Sequence, residues 1–94
     1  MPENLLDVLR QTRRKIAQSQ NFVDSRWSDR AAALAEFEAL LRQIGSGVLP
    51  KAELDVLFAP TGALRQLSVS NGWAYQFLVL ASRYEAAIGD TVQR

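Results

Sequence analysis

The sequence predicts an all-α fold: a compact bundle of four to five helices forming one domain over residues 1–94, with the last helix central. Three observations carry that prediction. Apolar residues recur at helical spacing in two long segments, Leu5, Leu9, Thr12 and Ile16 in the first and Leu34, Phe37, Leu41 and Ile44 in the second. Two breaks, Leu57-Phe58-Ala59-Pro60-Thr61-Gly62 and Ser70-Asn71-Gly72-Trp73, cut the apolar C-terminal half into pieces that must turn back onto the body. The segment after the second break is apolar on several sides, as expected of a helix with neighbours all round.

The first helix is expected from Glu3 to Ser19. Pro2 suits its first turn, Glu3 and Asp7 suit the positive end of its dipole, and Arg13, Arg14 and Lys15 lie toward the other end. Ser19 to Ser28 is a polar connection that carries Phe22, Val23 and Trp27. Ser28 is expected to cap the second helix, with Asp29 in the first turn and Trp27 packing back as a hydrophobic staple. That helix runs to Ile44, Leu40 widens its stripe, and Gly45-Ser46-Gly47 ends it as a left-handed cap.

Pro50 opens a short third helix to Phe58, with Leu54, Leu57 and Phe58 inward. Thr61 is expected to cap a fourth through Val69. Gln66 to Ser70 also alternates polar and apolar residues, which fits a strand, but a lone strand would have no ladder partner. Ser70 or Asn71 is expected to cap the last helix, Gly72 to Ile88, which Gly89 ends. Its stripe is Trp73, Phe77, Leu80, Tyr84 and Ile88. Tyr75, Leu78 and Val79 lie off that stripe by ~100° or more, so this helix runs through the bundle or meets a second chain. Asp90 to Arg94 reads as a frayed tail.

Bulk composition narrows the function. An apolar fraction of 48% and a charged fraction of 22% fit a globular domain and exclude disorder. The net charge of +1 provides no overall field to hold nucleic acid or an anionic membrane. The absence of His and Cys removes the commonest general base, the soft nucleophile and the usual transition-metal ligands. It also fits a reducing compartment, and with no signal pattern at Met1-Pro2-Glu3-Asn4 a cytoplasmic location is expected.

Asp24-Ser25-Arg26-Trp27-Ser28-Asp29-Arg30 leading into Ala31 to Glu36, together with the Leu57–Gly62 and Ser70–Trp73 breaks, resembles a group of short bacterial proteins of about this length. That group has no assigned activity. The resemblance implies a bacterial, single-domain helical protein and transfers no site residues.

Catalytic constellations are weak. Ser68, Ser70 and Asn71 suit turns and caps, and no Ser-x-x-Lys spacing exists to activate a nucleophile. Glu36 and Glu38 diverge by ~200° on a helix, as do Glu53 and Asp55, so neither pair shares a site. Arg10, Arg13 and Arg14 read as a solvated face, with Asp7 placed to pair with Arg10. Ala31, Ala32, Ala35 and Ala39 line the back of the second helix and read as helix formers. Arg26, Trp27 and Arg30 have the composition of a protein-binding surface.

The expected function is therefore non-catalytic: a small domain that needs no cofactor or metal and binds another protein or its own copy through Arg26, Trp27 and Arg30. An immunity or antitoxin-like inhibitor is its most specific form. The alternative is a small enzyme or ligand-binding domain that uses Tyr75, Tyr84, Arg83 and carboxylates around a pocket near the last helix.

Overall fold

A computed structural model describes residues 5–22 and 25–92, which form five helices and, among themselves, no strand. These are α1 (Leu5–Gln18), α2 (Arg30–Gly45), α3 (Lys51–Leu57), α4 (Ala63–Ser70) and α5 (Ala74–Val92). The expected all-α bundle is present, and Gln66 to Ser70 is helical. Pro2, Glu3, Val23, Asp24, Gln93 and Arg94 lie outside the described residues.

The periodicities become faces. Leu5, Leu9, Thr12 and Ile16 are all buried, and Thr12 satisfies its hydroxyl by donating to the Val8 carbonyl at 2.9 Å. Phe37 and Leu40 are the deepest large side chains of α2, flanked by half-buried Leu34, Leu41 and Ile44. Trp73, Phe77, Leu80, Tyr84 and Ile88 are buried together, as their spacing requires. α1 packs against both α2 and α5, and α4 packs against α5, giving the spatial order α2, α1, α5, α4. The last helix is thus one of two inner helices. Its enclosure is incomplete, because Tyr75, Leu78 and Val79 remain exposed.

Several boundaries move for identifiable reasons. Asp29, one residue later than the expected Ser28, caps α2: its extended backbone lets its carboxylate accept from the Ala32 amide at 2.9 Å. Gly62, and not Thr61, occupies the N-cap position of α4, and no side chain bonds there. The chain reverses so tightly at this point that a Cβ on Gly62 would lie 2.4 Å from the Val56 carbonyl oxygen. Asn71 caps the end of α4 instead of opening α5, donating from Nδ2 to the Leu67 carbonyl at 3.0 Å. Gly72, with φ of +80°, completes that corner. Gly89 does not stop α5, which continues through Asp90 and Thr91 to Val92. A glycine ends a helix by turning left-handed, and among described residues only Gly47 and Gly72 have positive φ.

Candidate functional site

The connection between α1 and α2 is built around Ser25, whose hydroxyl donates to the Phe22 carbonyl at 2.9 Å and accepts from the Trp27 amide at 3.2 Å. This turn directs the Trp27 ring inward, where it is only 5% exposed. That corrects the expectation of a Trp lying in a polar connection and offering its ring to a partner. Once Asp29 is the cap, Trp27 also stands two residues before it, outside the staple position. Its indole Nε1 donates to Glu36 Oε1 at 3.4 Å, and this carboxylate from within α2 is what allows the ring's polar edge to be covered.

Arg26 and Arg30 remain exposed above this base. The Arg26 guanidinium lies 5.4 Å from the Trp27 ring centroid and pairs with the second oxygen of Glu36. Arg30 donates from Nε to the Ser19 carbonyl at 3.1 Å, which ties the start of α2 to the end of α1. The structure therefore brings the three expected residues together but divides their work: Trp27 is buried beneath, and the two arginines stay exposed while each keeps a contact within the chain. An open groove of about 550 Å³ runs past them, lined by Gln20, Phe22, Arg26, Trp27, Asp29 and Arg30. A volume of this order accommodates a few side chains of a bound segment. Guanidinium groups held on a rigid base suit planar, bidentate acceptors such as carboxylates.

Helix α5 carries a second surface. Tyr75, Leu78 and Val79 on α5 are 74%, 59% and 42% exposed. Their positions at i, i+3 and i+4 place them on one helical face. The sequence marked this helix as apolar on too many sides, but gave no means of telling an interior face from a bare one.

The alternative constellation does not assemble. Tyr75 and Tyr84 are nine positions apart, roughly 180° around α5, and they face opposite ways. Tyr84 points inward, stacked on Phe58 with ring centroids 4.5 Å apart and donating to Asp55 Oδ1 at 2.5 Å. Lys51 Nζ donates to the other oxygen of Asp55 at 2.7 Å. The Lys51 hydrogen bond, then that of Tyr84, holds the Asp55 carboxyl below its ordinary pKa. Burial, then the Asp55 carboxylate, raises the Tyr84 hydroxyl well above its ordinary value and keeps it protonated. Arg83 turns away to donate to Gln11 on α1. The groove beside it, between α1 and α5, is only about 180 Å³, below the roughly 300 Å³ at which ligand pockets usually begin.

Several of the remaining candidates make contacts within the chain. Glu36 and Glu38 diverge as their spacing requires: Glu36 serves Arg26 and Trp27, while Glu38 accepts from Arg13 at 2.7 Å. Arg10 lies 4.0 Å from Asp7 at an exposed position, where such a pair contributes little. Ala31 and Ala35 face solvent, and Ala32 and Ala39 are half-buried. Among the described residues no helix is long and apolar enough to cross a membrane. No family model, curated protein or solved structure matches this chain.

Proposed function

We propose that the chain is a small, non-catalytic protein-interaction domain whose groove beside Arg26 and Arg30 receives a carboxylate-bearing segment of a partner protein. One observation carries this reading: the two exposed guanidinium groups stand on a base fixed by the buried Trp27, its Glu36 acceptor and the Ser19 carbonyl. Groups already held in place lose little side-chain freedom on binding, and that freedom is a main cost of association. The net charge of +1 favours a protein partner over nucleic acid, which would draw on a broad positive field. An inhibitor of immunity or antitoxin type, acting in the cytoplasm, is the specific form that size and composition favour, and a bacterial source rests on the resemblance carried by residues 24–36 and the two breaks alone.

The test is affinity capture from the native lysate with the wild-type chain and with an Arg26→Ala/Arg30→Ala variant. Both should give the same helical circular dichroism spectrum, and the variant should lose the captured protein. Retention by the variant, or salt-sensitive binding of the wild type to DNA or RNA at around micromolar concentration, overturns the proposal.

A further inference from the structure

The bare face of α5 extends beyond its three large residues. Around a helix of 3.6 residues per turn, Tyr75, Leu78, Val79, Ser82 and Ala86 all fall within ~60° of one line. All five are exposed and none is charged. Residues of opposite charge border this strip. Arg83 stands ~80° to one side, toward α1, where half-buried Lys15 shares its groove. Glu85 stands ~80° to the other side and is exposed.

This arrangement of charge selects both an occupant and its orientation. When two identical helices pair about a two-fold axis parallel to them, the left flank of one meets the right flank of the other. Arg83 and Lys15 of each copy then approach Glu85 of its mate, and the favourable contact occurs twice. Antiparallel pairing would instead bring each flank against its own copy, Arg83 beside Arg83. We infer that the Tyr75–Leu78–Val79 face of α5 is a self-association surface that pairs with the same face of a second copy in parallel orientation. One helix pair covers less than the roughly 800 Å² per partner of a standard interface, so the dimer is weak and concentration-dependent. The face shares no residue with the lining of the Arg26 and Arg30 groove, and the inference does not depend on that groove's function.

Sedimentation equilibrium from about 10 μM to about 1 mM tests the inference across the range expected for so small a contact. The wild type should shift reversibly from monomer to dimer. Leu78→Glu, which alters an exposed side chain, should weaken association by at least about tenfold with unchanged helical circular dichroism. Glu85→Arg should weaken it as well, and Glu85→Arg/Arg83→Glu should restore it. Orientation is read with single cysteines, which the cysteine-free chain makes unambiguous. Under mild oxidation, Leu78→Cys alone and Ala86→Cys alone should each give a disulfide-linked dimer. A wild type that stays monomeric throughout, a dimer indifferent to Leu78→Glu, or cross-linking only when the two cysteine variants are mixed would overturn it. Arg26→Ala/Arg30→Ala should dimerise normally, so a failure at one surface is distinguishable from a failure at the other.

Discussion

The Trp73 indole donates its N–H to the Ser19 hydroxyl at 2.9 Å, joining residues 54 positions apart in a buried setting. Ser19 in turn donates to the Lys15 carbonyl at 2.8 Å, so the end of α1 supplies a polar partner for the largest ring beside α5. Ser19→Ala would leave that N–H buried without an acceptor and should cost about 1–3 kcal/mol. Adding Trp73→Phe to Ser19→Ala should cost less than the sum of the two single changes, because the unpaired donor then disappears. Urea midpoints of the four proteins measure this coupling, and strict additivity would refute it.

Trp27 and Trp73 should prove equally important to stability. The polar surroundings of Trp27 in the sequence suggest a smaller loss on truncation, but both rings are 5% exposed. Each change to Ala should cost about 3–5 kcal/mol, and the two should agree to within about 1 kcal/mol in denaturant unfolding. A Trp27→Ala variant close to wild type would contradict the burial found here.

Gly62 is held by space and not by backbone angle, since its φ of −83° is open to any residue. A methyl group there would meet three carbonyl oxygens, those of Val56, Leu57 and Ala59, at 2.4, 3.0 and 3.2 Å. Backbone cannot yield as a side-chain tip does, so Gly62→Ala should cost at least about 2–3 kcal/mol. Gly45→Ala is the control. Nothing lies within 4 Å of the added Cβ, and the change should be neutral or stabilise by up to about 1 kcal/mol. Thermal midpoints of the two variants should move in opposite directions or differ widely.

Tyr84 and Asp55 set opposite limits on the pH range of full stability. The Tyr84 pKa is raised in the fold, so its contribution is complete below the ordinary value of 10.0 and is lost as the pH rises beyond it. The Asp55 pKa is lowered, so its contribution is complete above 3.8 and is lost as the pH falls through the depressed value. Tyr84→Phe should flatten the alkaline limb of a stability profile above pH 10.0 and lessen the acid-side loss as well. An unchanged alkaline limb would show that the Tyr84 hydroxyl does not carry this dependence.

The stripes of α1, α2 and α5 were legible because helical periodicity is a local property, and each apolar position of those stripes is buried or half-buried. The N-cap of α2 was legible to within a residue, since Ser28 and Asp29 have the same capping chemistry and only the backbone angle chooses between them, whereas the roles of Asn71 and Gly89 were not. Trp27 was misjudged because the carboxylate that meets it comes from Glu36, within the next helix. The exposure of Tyr75, Leu78 and Val79 depends on which helices arrive beside α5, and no local pattern encodes that. At the candidate groove, sequence brought Arg26 and Arg30 into view, but the tie from Arg30 to the Ser19 carbonyl exists only once α1 and α2 have met.

The carboxamide of Asn71 does more than finish α4. Its Oδ1 accepts from the amides of Gln20 and Asn21 at 2.9 and 2.8 Å, while Nδ2 donates to the Asn21 carbonyl at 2.8 Å. It thereby pairs with the chain after α1 much as a neighbouring strand would, using one side chain in place of a backbone. These bonds span about fifty residues and can form only after the α4–α5 corner has closed. The amides of Gln20 and Asn21 should therefore acquire hydrogen-exchange protection late in refolding, in step with that distant corner and behind the interior of α1. Through Asn71, the base of the arginine groove should then complete late in folding, and its integrity depends on a corner about fifty residues away.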